Sequence, residues 1–211
     1  MRNEQTKSLS VLPNSAQIIT IDAGLAGNIH PTDKQTIGKR LSLAVRKLVY
    51  NEASVDFAPQ FNSFVKNADG SITIDFKNVG DGLCLYVNEK TSDYKLNGKL
   101  VEGNKVTWFQ ITDVNGKSSI ANATLADNKV TIAKGDADIA KVYYAWNRCP
   151  NGMNLYSKVG SDYLPMTPFS FSVDVQPMAI KSFTATKSAG TIEGGTFVIF
   201  SWETMKGEIE R

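Results

Sequence analysis

The chain is poor in the residues that usually announce chemistry: one histidine and two cysteines among 211 residues. Cys84 and Cys149 lie 65 positions apart, which rules out a CxxC metal or redox motif. One disulfide or two separate buried thiols fit them equally well. No apolar run approaches the ~20 residues a membrane helix needs. The opening Met1-Arg2-Asn3-Glu4-Gln5 is polar and is no signal peptide. A net charge of +2 gives no argument for nucleic acid or an anionic membrane as partner.

The familiar catalytic signatures are also missing. There is no Gly-x-Ser-x-Gly elbow and no Gly-Asp-Ser, the nucleophile signature of the other large esterase group. Gly160-Ser161-Asp162 has the wrong order. No Gly-x-Asn-Asp is present to supply an oxyanion-stabilising asparagine. No P-loop, dinucleotide fingerprint or metal-ligand cluster occurs.

What is present is an ordinary globular composition, 42% apolar and 21% charged, sufficient for a core. Gln17-Ile18-Ile19-Thr20-Ile21 is β-branched and predicts a buried strand. A helix follows to about Tyr50, with Thr32 as N-cap and Gln35 completing a capping box. Ile37, Leu41, Val45, Leu48 and Val49 recur at helical spacing and predict its buried face.

From about Ser54 short alternating runs appear between Asn, Gly and Asp turns. Examples are Ser71 to Phe76, Leu83 to Val87, Thr107 to Ile111, Ile120 to Leu125, Lys129 to Ala133 and Ala140 to Trp146. This texture predicts an antiparallel sandwich or barrel. After Asp174, Ile180 to Ala185 and Thr196 to Trp202 read as two strands across a Gly-rich turn. Two strands make no stable domain alone.

His30, the sole histidine, falls in the loop between the predicted strand and helix, before Pro31. A neutral imidazole there can take a proton from a serine and return it to a leaving group. Taken alone, it reads first as an ordinary loop histidine. Asp22 ends the strand and can orient the imidazole; Asp33 is explained by its place in the first helical turn. Two carboxylates also raise glycosidase chemistry, with nothing to fix their separation. Tyr143-Tyr144-Ala145-Trp146 with Tyr156, Tyr163, Phe169 and Phe171 offers a sugar-stacking surface or, more simply, core packing.

Several segments together resemble the sialate O-acetylesterase family. Ile21-Asp22-Ala23-Gly24, then Asn28-Ile29-His30-Pro31-Thr32-Asp33-Lys34-Gln35-Thr36-Ile37-Gly38-Lys39-Arg40-Leu41, resembles its last catalytic block. Met1 to Gln5 resembles the helix before that block. Tyr144-Ala145-Trp146, Asn154-Leu155-Tyr156 and Leu164-Pro165-Met166-Thr167-Pro168-Phe169 resemble the end of its β-domain. The resemblance covers about residues 1–174.

It implies an SGNH hydrolase that removes O-acetyl groups from sialic acid or related sugars without a metal or other cofactor. His30 would be the catalytic base for a serine lying upstream of this chain. The usual SGNH acid stands three residues before the histidine, and Gly27 occupies that position here. Asp22 or a backbone carbonyl would replace it. The fold implied is mixed but mainly β. Residues 1–52 would be the helix-strand-helix end of an α/β/α esterase domain, 53–175 an antiparallel β-domain, and 176–211 the opening strands of an incomplete immunoglobulin-like module.

Partners would be an O-acetylated sugar and the missing N-terminal SGNH segment, with neither nucleic acid nor membrane. By resemblance the protein is secreted or periplasmic. Without its nucleophile this chain should not turn over an ester. A second reading is a non-catalytic β-rich module that binds glycan through Tyr144, Trp146 and Tyr156, or packs on an esterase. A third is a free-standing protein using the domain for protein contacts. An uncovered apolar helix face would then mark where a partner sits.

Overall fold

A computed structural model describes residues 2–24, 27–30, 32–53, 57–90, 96–173, 183–186, 191–192, 195–196 and 199–202. The chain divides into two compact units, Met1–Val173 and Asp174–Arg211. The first is mainly β, with two helices, α1 (Arg2–Ser8) and α2 (Lys34–Leu48), among its described residues.

Its strands are β1 (Gln60–Lys66), β2 (Ile72–Lys77), β3 (Gly82–Lys90), β4 (Leu96–Leu100), β5 (Lys105–Val106), β6 (Phe109–Asp113) and β7 (Ser118–Ile120). After them come β8 (Ala123–Ala126), β9 (Lys129–Ile132), β10 (Ile139–Tyr144), β11 (Leu155–Val159), β12 (Asp162–Pro165) and β13 (Phe169–Ser172). They form three sheets of order β1-β2-β9-β8-β5, β13-β10-β6-β7 and β12-β11-β3-β4. Every named strand pair is antiparallel.

Local turn chemistry sets much of this pattern. Asp127 and Asn128, both at positive φ (49° and 60°), close the β8–β9 hairpin between the paired residues Ala126 and Lys129. Two-residue loops with both φ values positive match the twist of the flanking strands. Predicted Ile120 to Leu125 is not one strand: it divides into β7 and β8, which join different sheets.

One apolar core lies among the sheets. Ile72, Ile74, Val130 and Ile132 enter from the first, Phe109, Ile111, Val142 and Tyr144 from the second, and Leu85 and Leu155 from the third. Phe171 stacks on Phe61 at 4.8 Å and on Phe64 at 4.5 Å between ring centroids, which ties β13 to β1. Such aromatic pairs add to the area they bury.

The N-terminal residues depart from expectation in three ways. Gln17 to Ile21 has no strand assignment, although Ile19 is buried. The N-cap of α2 is Asp33 rather than Thr32: its Oδ1 accepts from the Thr36 amide at 3.0 Å. A carboxylate at that position satisfies an orphan donor and suits the helix dipole.

The helix also turns a different face inward. Arg40, Leu43 and Ala44 are buried, and Leu43 packs with Val159 and Leu164. Leu41, Val45, Leu48 and Val49 are exposed. Both stripes have helical spacing, and the one carrying an arginine faces the protein because Arg40 has a buried partner there.

In the second unit β14 (Phe183–Thr186) pairs antiparallel with β17 (Ile199–Trp202), with Phe183 opposite Trp202. β15 (Thr191–Ile192) pairs with β16 (Gly195–Thr196). Residues 180–182 and 197–198 of the two predicted strands lie outside the described residues.

Candidate functional site

His30 lies in the loop that leads from residues 17–22 to α2, and it is exposed. Its backbone N–H donates to Asn28 Oδ1 at 2.8 Å, a local turn of the kind asparagine forms with its own chain two residues on. The imidazole is therefore open to an approaching group rather than enclosed in this chain's core. Pro31, beside it, lies outside the described residues.

Asp22 has a different setting. Arg40 grips its carboxylate with two hydrogen bonds, Nη1 to Oδ1 at 2.6 Å and Nη2 to Oδ2 at 2.7 Å. Asn88 Nδ2 donates to Oδ2 at 2.7 Å, and the Tyr156 hydroxyl donates to the same oxygen at 3.1 Å. Three of the four donors converge on Oδ2 and one on Oδ1. The side chains of Arg40 and Asp22 are only 6% and 3% exposed. In this arrangement Asp22 ties residues 17–22 to α2 and to the sheets.

The aromatic residues separate by the alternation of β10. Tyr144 and Tyr156 are wholly buried, so neither ring can offer a face to a sugar. Burial, with the nearby Asp22 charge adding to it, pushes the Tyr156 phenol far above its ordinary value. Burial does the same to Tyr144. Trp146 alone of the three proposed rings reaches solvent, at 39% exposure.

Strict alternation would place Trp146 on the buried side with Tyr144. Ala145 breaks it: β10 ends at Tyr144 and Ala145 adopts φ +49°. Trp146 thereby comes beside outward-facing Tyr143, with ring centroids 6.3 Å apart. The two rings line a cavity of about 380 Å³ with Gln110, Thr112, Ser118 and Ser119. The sequence placed Tyr143 in the aromatic run but singled out Tyr144, Trp146 and Tyr156, because alternation alone does not say which face is inside.

Gly160 and Ser161 lie in the turn between β11 and β12, and Asp162 pairs with Lys39. Ser157 is buried in β11. Cys84 and Cys149 are free thiols, and burial raises the pKa of Cys84. Among the described residues no group of three or more His, Cys, Asp or Glu could hold a metal ion. Among the same residues no helix is long and apolar enough to cross a membrane, which says nothing of a β-barrel.

No protein-family model matches the sequence, and neither does any curated protein. Among solved structures, the crystal structure of a novel carbohydrate acetylesterase from Xanthomonas citri is similar, with 28% sequence identity and a TM-score of 0.62. The similarity covers 81% of this chain and 35% of that enzyme. The chain thus matches about a third of the length of the solved structure it resembles.

Proposed function

We propose that this chain is the histidine-bearing and β-rich portion of a carbohydrate O-acetylesterase. The similarity to a carbohydrate acetylesterase over 81% of the chain carries the reading. The open position of His30 is compatible with it, as is the exposed apolar stripe Leu41, Val45 and Leu48 of α2, which leaves room for a further layer of polypeptide.

In the proposed mechanism His30 takes the proton of a serine carried elsewhere in the full esterase. The serine oxygen attacks the acetyl carbonyl, and the imidazolium returns the proton to the departing sugar hydroxyl. Water, deprotonated by the same imidazole, then releases acetate. Asp22 is engaged by Arg40, Asn88 and Tyr156, so a backbone carbonyl is the alternative candidate to hold the imidazole. Sialic acid is the sugar that the sequence resemblance implies, and a secreted or periplasmic enzyme goes with it.

The test is to read the gene upstream for an in-frame Gly-Asp-Ser-type block and express the whole frame. Acetate release from O-acetylated sialic acid should fall at least ~10³-fold in His30→Ala. Unchanged release would overturn the reading. The 211-residue chain alone should leave an acetyl ester reporter intact.

A second reading has its own observation: the Tyr143–Trp146 ring pair over a cavity with hydroxyl and amide groups suits a sugar face. A glycan-binding role for this sheet requires Trp146→Ala to abolish retention on an immobilised glycan.

A further inference from the structure

The geometry points to Arg40, Asn88 and Tyr156 as positioning residues: with Asp22 they lock the histidine-bearing segment to the β-sheets, so the β-rich part of the molecule sets where His30 stands. This rests on the reading of His30 as the base.

The segment carrying His30 is fixed at both ends by one ion pair. Asp22 precedes it and Arg40 follows it in α2, 18 positions on. A two-bond guanidinium–carboxylate fork fixes orientation as well as distance, which a single ammonium contact does not. Arg40 Nη1 also donates to the Ile19 carbonyl at 2.6 Å, so the approach to the segment is held by the same side chain. Between these ends His30 is exposed, and its own backbone bond, to Asn28, is local. Leu43 and Lys39 also tie α2 to β11 and β12, but the clamp is the contact that holds both ends of the segment to the sheets.

The sheets supply the other half. Asn88 projects from β3 and Tyr156 from β11, and both end on Asp22 Oδ2. Asn88 Nδ2 also lies 3.1 Å from the Tyr156 hydroxyl, closing a triangle around that oxygen. Replacing a buried ion pair by apolar groups of similar volume is often neutral or stabilising. Stability alone therefore does not call for this cluster, whereas a fixed register between α2 and the sheets does.

Because the chain has one histidine, ¹³C-labelled histidine gives one ring signal to follow in the intact 211-residue protein. Tyr156→Phe removes one hydroxyl and keeps the ring; Asn88→Ala removes the other sheet donor; Arg40→Lys keeps the charge and loses the fork. Each should preserve the sheet amide spectrum while shifting or broadening the His30 ring signal. Order parameters at residues 27–30 should fall from the rigid range near 0.85 to below about 0.6. Tyr143→Phe, outside the clamp, should change neither.

Variants that melt earlier but leave the His30 signal and these order parameters as in the parent would overturn the proposal. Should Arg40→Lys fail to fold, Tyr156→Phe carries the same comparison. None of these readouts involves turnover, so they stand apart from the His30→Ala test of the esterase reading.

Discussion

The Tyr156 hydroxyl donates to Asp22 Oδ2 at 3.1 Å, so two residues expected in separate roles, sugar platform and catalytic carboxylate, belong to one buried cluster. Asp22→Asn should therefore act first on stability. Truncating one partner of a buried pair leaves the other charge uncompensated, at a cost of about 3–5 kcal/mol. Urea unfolding monitored by circular dichroism reads this directly. A loss below about 1 kcal/mol would mean that Arg40 finds another partner.

The same cluster predicts an alkaline limit. Tyr156 and Tyr144 hold their protons in the folded state well above the ordinary value of 10, chiefly through burial. In the unfolded chain they ionise near 10. The folded state then binds more protons, so this stability is fully present below pH 10 and is lost as pH rises above it. Absorbance titration of the seven tyrosines should show a fraction that ionises only together with unfolding. Tyr156→Phe should weaken the pH dependence of the melting temperature above pH 10.

The two stripes of α2 should respond in opposite ways. Leu43→Ala empties a contact with Val159 and Leu164 and should cost about 2–5 kcal/mol. Leu41→Glu with Val45→Lys, on the exposed stripe, should change the stability of this chain by no more than ~0.5 kcal/mol per site. If, as proposed, a further layer of a larger esterase covers the stripe, the same double change should destabilise that larger protein. Thermal unfolding of both forms checks the contrast.

Gly80 joins the β3 approach to β11. It forms a parallel bridge with Lys158 at φ +57°, and an added Cβ would collide with the Lys158 backbone oxygen. Gly80→Ala should cost at least the ~1–3 kcal/mol of a strained left-handed residue, with loss of amide protection at Asp81, whose N–H donates to Lys158 O at 2.8 Å.

Features set by neighbouring residues were legible in the sequence. Alternation with Asp, Asn and Gly turns marked β2, β3, β9 and β10, because hairpin chemistry is decided within a few positions. The inward face of α2 was not legible: its apolar stripe is regular, and only Asp22, distant in sequence, explains why Arg40 goes inside. The aromatic site was half legible. Trp146 was named from its residue type, but its pairing with Tyr143 depends on the left-handed Ala145. The Asp22 cluster draws on positions 22, 40, 88 and 156, and no local pattern links them.

That spacing has a consequence for biogenesis. Tyr156 follows Asp22 by 134 positions, and at about 5–20 residues per second a ribosome needs on the order of ten seconds to bridge them. Through that interval the nascent chain holds an acid that lacks at least one of its four donors. Contacts between sequence-distant residues close slowly, so the histidine loop should be among the last parts of the protein to settle.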